Sequence, residues 1–376
     1  MTSWSETPAH PLRYAVVGSG WRAQFFLRMA RALPERFELL GVVTRTAERG
    51  QEVAAAHGVP TWRSVADLLR AHPVLPDLVV TSTPWSVTPG LVRELVAAGV
   101  PVLAETPPAP DAPALRDVWH DVGASGLVQV AEHSPFLPGH TARARVLADG
   151  AVGRATSVHV SSTHQYHALA LVRGLLRAGG AEADLFGPVE VTGQQHTAPL
   201  MDPRSRAGWT GATEPSDVTT TLALLDLGDG LSAFYDFTTN QPRNDLRQDR
   251  VLVRGSHGEL ADDAVQRWVD PRASVTSLLA RRQHGIGQDM ERADLEHLSF
   301  EGRVVYRNPY LGARLSDDDI AVATLLDRSR AWVRGDGEPP YPLAEAAQDH
   351  LVGLAVVEAA RTRRVVRTSR EPWAPA

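Results

Sequence analysis

The sequence predicts an α/β protein: an N-terminal Rossmann-type, doubly wound parallel sheet, then an α+β domain with a large, mostly antiparallel sheet. Three observations carry this. Short β-branched runs alternate with helical segments from Arg13 to Glu132, the order that right-handed βαβ units impose on a parallel sheet. A glycine-rich turn, "VVGSGWRA", joins the first strand to the first helix. Beyond Glu132 the texture changes to long β-type runs with hairpin signals at "LGDGL" and "GSHGEL" between them. The 376 residues exceed the roughly 250–300 at which single cores stop growing. Two domains are expected, residues 1–132 and 133–376.

In the first domain "RYAVV" enters the glycine turn, and a helical pattern runs on to Leu33. Strand "FELLGVV" (Phe37–Val43) leads to a helix closed by Gly58, then "VPTW" and a short helix at Ser64–Ala71. Strand "DLVVTST", the helix ending at Gly99, strand "VPVLAE", helix Ala112–Val122 and strand "LVQVAE" complete the series. The second domain opens with the helix "GHTARARVLADG". Its strands are "RATSVHVSST", "VEVTGQQH", "DVTTTLALLDL", "LSAFYDFTT", "DRVLVRG" and "RVVYR". Helices are expected at "YHALALVRGLLRAGG", Asp317–Arg334 and Ala344–Arg361. The segments "APLMDPRSRAGWTGATEPS" and "TSLLARRQHGIGQDMERAD" read as long loops, which are often functional.

Composition narrows the function. The net charge is −6 and the arginines are scattered, so no nucleic-acid footprint is present. Cysteine is absent, which excludes disulfides, thiolate catalysis and cysteine-ligated zinc. Beyond the His164/His167 pair, no H-x-x-x-H or paired-carboxylate spacing on one element marks a metal site, and no metal is expected. The polar N-terminus has no apolar signal core, and no apolar run approaches the ~18 residues of a membrane span. A cytoplasmic, membrane-free protein is the expectation. All 38 basic residues are arginine, so no lysine is available for chemistry.

Cofactor chemistry starts at Gly18-x-Gly20-x-x-Ala23. Gly18 permits the tight turn, Gly20 lets backbone approach a pyrophosphate, and Ala23 allows close helix–strand packing. Ser19, Trp21 and Arg22 complete that loop, and Thr83, Pro84, Glu105 and Thr106 follow strands whose ends would face a cofactor. The second strand ends in Thr44 and Arg45 rather than an acidic residue. Arg45 or Arg49 is then free to pair with a 2′-phosphate, which points to NADP; the alternative is NAD with Arg45 stacked on adenine. Imidazoles that could move a proton near neutrality are His133, His164 and His167, with Tyr166 as a donor to a substrate oxygen. If His164 and His167 both lie within the helix, they share a face. His133, Tyr235 and Asn240 are candidate substrate contacts, whereas Asp349 and His350 sit in a helix that reads as packing.

The order of the phosphate loop, "TSTPWSVT", "VPVLAETP" and a sheet domain entered through "VGRATSVHV" resembles the Gfo/Idh/MocA family of sugar oxidoreductases. The resemblance spans nearly the whole chain. It implies NAD or NADP, a carbohydrate or polyol substrate, and a homo-oligomer formed through the C-terminal sheet. In that family the fifth strand ends in Glu-Lys-Pro, and Asp-x-x-x-His follows on a helix of the second domain. Here Glu105 and Pro107 match but Thr106 replaces the lysine. His167 falls at the family histidine, with Thr163 in place of the aspartate, and Thr88 stands where histidine is frequent. A threonine hydroxyl is too weak an acid or base to do a lysine's work. The resemblance therefore implies an oxidoreductase acting on a sugar, cyclitol or glycoside in which His167 handles the proton. A second reading is an NAD-dependent glycosidase, a branch that also lacks the lysine. Such enzymes run a redox-neutral cycle of oxidation, elimination, hydration and reduction, for which Glu105, His167 and Tyr166 would serve. A third is a catalytically inactive relative that binds cofactor or sugar.

Overall fold

The computed structural model describes residues 10–285 and 293–375. It divides into two compact units. One comprises Met1–Pro138, Gln283–Glu296 and Arg307–Ala347; the other comprises Gly139–Arg282, His297–Tyr306 and Gln348–Ala376. The expected boundary after Glu132 lies close to the first break, but two later segments, including a long helix, count with the first unit rather than the second.

The first unit is built on strands β1 (Leu12–Val17), β2 (Phe37–Val43), β3 (Thr61–Trp62), β4 (Leu78–Thr81), β5 (Val102–Ala104) and β6 (Val128–Val130). They pair in parallel in the order β3-β2-β1-β4-β5-β6, the Rossmann arrangement. Helices α1 (Ala23–Leu27), α2 (Met29–Ala32), α3 (Ala47–His57), α4 (Val65–Ala71), α5 (Thr88–Ala97) and α6 (Ala112–Val122) make the crossovers. Strands β4, β5 and β6 are buried at every residue, because helices cover both faces of a parallel sheet. Local chemistry sets the helix ends. Thr46, Ser64 and Asp111 cap α3, α4 and α6 through side-chain oxygens, and Gly58 closes α3 in the left-handed region at φ 69°. The single helix expected up to Leu33 is broken at Arg28 into α1 and α2.

The second unit takes its helices from α7 (Pro138–Ala148) and α8 (Gln165–Ala178), with β7 (Ala155–Ser161) between them. Then come β8 (Glu190–Leu200), β9 (Arg204–Ser205), β10 (Gly208–Trp209), β11 (Ser216–Gly228), β12 (Leu231–Thr238) and β13 (Arg250–Gly255). β14 (Gly258–Ala261), β15 (Ala264–Asp270) and β16 (Ala273–Leu278) form a meander at one edge. Next are β17 (Ala280–His284), β18 (Asp294–Phe300) and β19 (Arg303–Arg307), a three-stranded sheet. Helices α9 (Asp317–Val333) and α10 (Leu343–Thr362) and strand β20 (Val366–Arg367) end the chain. The large sheet has nine strands in the order β16-β15-β14-β13-β7-β12-β11-β8-β20, and only the β7–β12 pair is parallel. One face buries Val158, Val160, Ala233, Tyr235, Val251 and Val253, with α8 packed on β7. The two expected loops contain strand: the first holds the end of β8 and the β9–β10 hairpin, and the second holds the last half of β16 and all of β17. Residues 286–292 of that second segment lie outside the described residues.

Helix α9 belongs to the first unit and packs on α1, β1 and β4. Ser316 caps it, and Asp317, Asp318 and Asp319 occupy its first turn, where negative charge suits the helix dipole. Among the described residues no helix is long and apolar enough to cross a membrane.

Candidate functional site

The carboxyl ends of β1, β4, β5 and β6 gather a polar cluster in the first unit, on either side of the point where strand order reverses between β1 and β4. Gly18 follows β1 at φ 112°, and its N–H donates to the Val43 carbonyl at 2.9 Å. A Cβ there would lie 2.0 Å from the Ser82 carbonyl oxygen, so only glycine fits. At Gly20 a Cβ would meet nothing within 4 Å, and this bare backbone faces open space. Beside it lies a cavity of about 350 Å³ lined by Ser19, Gly20, Trp21, Gln24, Arg49 and His57, among others. A turn closed to side chains, an open glycine and an adjacent cavity suit a dinucleotide pyrophosphate.

The two arginines after β2 have different surroundings. Arg49 donates to the Ser19 carbonyl at 2.7 Å and to Ser19 Oγ at 3.2 Å, and it pairs with Glu52 at 2.6 Å. It braces the phosphate loop with its charge already balanced. Arg45 is exposed and has no hydrogen-bond or ion-pair partner among the described residues. Thr44 is buried, its hydroxyl donating to the Thr46 carbonyl at 3.1 Å. After β4, the Pro84 carbonyl accepts from Val87 and Thr88, and the Thr83 and Thr88 hydroxyls are 3.0 Å apart, which fixes the entry to α5.

At the end of β5, the Glu105 N–H donates to the Thr81 carbonyl at 2.9 Å. Its carboxylate lies 3.6 Å from Arg22 Nε and accepts from the Thr106 hydroxyl at 3.2 Å. The Thr106–Pro107 peptide is cis. Arg22 also rests against the rings of Phe25 and Phe26, at 5.0 and 5.5 Å. Thr106 thus touches the Glu105 carboxylate, and Arg22 supplies the positive charge beside it. After β6, the buried Glu132 accepts from the Ser134 N–H at 2.9 Å. His133 Nε2 lies 3.3 Å from Asp318 Oδ1. The hydrogen bond with His133, together with the positive charge of Arg22 and Arg28, holds the Asp318 carboxyl below its ordinary range. Asp318 escapes sequence reasoning because it stands 185 residues away on α9.

The second unit holds an aromatic group of its own. His164 precedes α8 with extended backbone (φ −94°, ψ 151°), so the condition for sharing a helix face with His167 is not met. Its ring still lies 5.0 Å from that of His167 and 5.3 Å from that of Tyr166. Tyr166 and His167 are 4.4 Å apart, Tyr166 and His350 5.6 Å, and His164 and Phe237 5.7 Å, centroid to centroid. Gln165, at φ 42°, donates its N–H to the Tyr235 hydroxyl at 3.2 Å. Tyr235 is 3% exposed, and burial pushes its hydroxyl up to about 12. This tyrosine anchors the start of α8. Asn240 directs its amide to both Asp202 oxygens (2.8 and 2.9 Å) and to the Arg204 carbonyl (2.7 Å), so its donors are engaged within the unit. His350 joins the aromatic group, and Asp349 pairs with Arg173 at 2.7 Å, both as packing residues.

Residues 12–132 match the model of the Gfo/Idh/MocA oxidoreductase family, NAD-binding Rossmann fold. A search of curated protein sequences finds no significant match. Among solved structures, a myo-inositol dehydrogenase from Corynebacterium glutamicum is similar at TM-score 0.64 and 18% identity, covering 97% of this chain and 100% of that one. An NAD-binding oxidoreductase from Klebsiella pneumoniae gives 0.67 and 17%, over 96% and 99% of the two chains. Levoglucosan dehydrogenase, solved with NADH and levoglucosan, gives 0.64 and 15%, over 95% and 99%. At these identities the likeness establishes the two-part fold. The match to the Gfo/Idh/MocA model is confined to residues 12–132, less than half of the chain, and marks that part as similar to an NAD-binding Rossmann domain.

Proposed function

We propose that the protein oxidises a secondary hydroxyl of a sugar, cyclitol or glycoside, with an imidazole handling the proton in place of the missing lysine. The observation that carries this reading is the end of β5, where Glu105 is retained against Arg22 while Thr106 occupies the lysine position. A bound nicotinamide supplies the hydride acceptor. The chain's own residues do the rest. Gly18 and Gly20 give the pyrophosphate room, and Arg22 lies against Glu105 at the strand end. His167, at the position matching the family histidine, takes a hydroxyl proton, flanked by His164 and Tyr166. Arg45, unpaired beside a strand end that lacks a carboxylate, favours NADP over NAD. The sugar and cyclitol substrates of levoglucosan dehydrogenase and myo-inositol dehydrogenase support this substrate class. The open face of the nine-stranded sheet is proposed to join two copies of the chain.

The test is titration of the purified protein with NAD and NADP, followed by a panel of sugars, cyclitols and p-nitrophenyl glycosides. Net cofactor reduction is expected, tighter binding of NADP, and a turnover about 10²–10⁴-fold lower in His167→Asn. Release of p-nitrophenol without net cofactor change would instead establish the glycosidase that Thr106 also permits. Absence of affinity for either cofactor overturns the proposal.

A further inference from the structure

Arg49 divides its guanidinium between two partners. Nη2 donates to the Ser19 carbonyl at 2.7 Å and Nε to Ser19 Oγ at 3.2 Å, while Nη1 donates to Glu52 Oε2 at 2.6 Å. The nitrogens that hold the phosphate loop are therefore distinct from the one that holds the carboxylate, and the second contact can be exchanged while the first stays. Arg49 stands in the first turn of α3, where the Thr46 side chain accepts from its N–H and the helix dipole favours anions. Glu52 lies three residues further along the same helix. Both residues line the cavity that Ser19 and Gly20 border. Their side chains are 44% and 63% exposed, so solvent reaches the pair and weakens it. His57 lines the same cavity, and burial, followed by the positive charge of Arg31 and Arg49, holds it below its ordinary pKa. The charge of Arg49 is thus felt beyond Glu52.

We propose that Arg49, with Arg45, reads the 2′-phosphate of NADP, and that Glu52 is the specificity-determining residue that stands in for this phosphate on Nη1. This rests on the oxidoreductase reading above and names how the same site tells two cofactors apart. A carboxylate and a phosphate offer a guanidinium nitrogen the same kind of anionic acceptor, and the phosphate carries the larger charge. With NAD, Arg49 keeps both of its partners. With NADP, Nη1 passes from Glu52 to a phosphate oxygen, and the bonds to Ser19 continue to brace the loop. The displaced carboxylate then faces a like charge, which weakens binding. Glu52 therefore restrains a preference for NADP that Arg45 and Arg49 alone would make steeper.

The test measures binding rather than turnover. Calorimetric titration of the full-length protein with 2′,5′-ADP, 3′,5′-ADP and 5′-AMP separates the ribose phosphate from the nicotinamide. Glu52→Gln should tighten 2′,5′-ADP about fivefold, the upper range for an exposed ion pair, and leave 3′,5′-ADP and 5′-AMP unchanged. The ratio of NADP to NAD affinity should rise by the same factor. In an Arg49→Met background, Glu52→Gln should lose its effect, because the two act through one contact. An affinity ratio of 2′,5′-ADP to 5′-AMP that Glu52→Gln does not move would overturn the proposal. Equal gains for all three nucleotides would do the same, since they mark a general charge effect, as would a gain that persists without Arg49. A wild-type protein that binds neither NAD nor NADP would sink the oxidoreductase reading and this proposal together. One that binds both, in a ratio indifferent to Glu52, would sink this proposal alone.

Discussion

At the scale of single residues, Gly18 is the most constrained position of the cofactor loop. Its φ of 112° is one that side-chain-bearing residues rarely adopt, and a methyl group would collide with the Ser82 carbonyl. Since that carbonyl belongs to the loop after β4, relief of the clash would separate the two strand ends that frame a pyrophosphate. Gly18→Ala should therefore weaken dinucleotide binding by about 100-fold or more, equivalent to roughly 3 kcal/mol. Calorimetric titration reads this, and circular dichroism checks that the fold persists; unchanged affinity in a folded variant would contradict it. Gly20, where a Cβ meets nothing, is the matched control and should tolerate alanine in the absence of ligand. This loop was legible in the sequence because its chemistry is local: three small residues at fixed spacing between a strand and a helix. The brace formed by Arg49, Ser19 and Glu52 was not, since the sequence offers Arg45 and Arg49 as equivalent cations and only geometry separates them.

At the scale of elements, α8 and α10 are tied by a buried ion pair. Arg173 and Asp349 have side chains 2% exposed and meet at 2.7 Å. Arg173 Nε also donates to the Leu185 carbonyl at 3.1 Å, and its guanidinium sits 4.6 Å from the Phe186 ring centre. Burial leaves water unable to compensate either charge alone. Asp349→Ala should thus destabilise the second unit by about 3–5 kcal/mol, while the paired change Arg173→Met with Asp349→Leu should cost much less. Denaturant unfolding of both variants measures the difference; equal losses would refute the account. The same helices aim the histidine group. Gly353 of α10 leaves space where a Cβ would approach the Tyr166 N–H at 3.2 Å. The helical periodicity of α8 was plain in the sequence, and its start lies one residue from the expected Tyr166; the place of His164 was not, because Gln165 adopts φ 42° and sets it ahead of the first turn. Strands β17 and β18 were hidden for another reason. They are short, and polar residues such as Arg281, Arg282, Gln283, Glu296 and His297 blur the alternation that marks a half-buried strand.

At the scale of the whole molecule, the nine-stranded sheet leaves one face without helices among its partners in the row that matters most. The registers align Thr192, Leu224, Phe234, His159, Leu252, Ala261, Ala264 and Leu278 side by side across eight strands. Leu224 and Leu278 are 59% and 63% exposed. A concavity of about 660 Å³ at the centre is lined by His159, Phe234, Leu252 and Leu224, with Glu190 and Asp226 toward one side and Arg254 toward the other. A two-fold axis through this face would set each copy's acidic side against the other's basic side, which is why a second copy is the proposed occupant. His159 sits in the row, its ring edge-on to Phe234 at 4.6 Å and its Nε2 buried without a hydrogen-bond partner among the described residues. Burial pushes its pKa below the ordinary histidine value, against Asp236 and Asp262 and with Arg250 and Arg254. The sign follows from linkage. A histidine that resists protonation when folded binds fewer protons than the unfolded chain between its lowered pKa and about 6.5. Its contribution to stability is complete above that range and is lost as pH falls through it. Covering the face with a second copy deepens the same burial, so association should release protons and weaken on acidification. Light scattering should show the association constant falling between pH 7.5 and 5.5. His159→Phe should remove that dependence while keeping the assembly, and Phe234→Arg should yield monomers at both pH values. A wild-type protein that is monomeric at pH 7.5, or an assembly indifferent to pH, would refute the role assigned to this row.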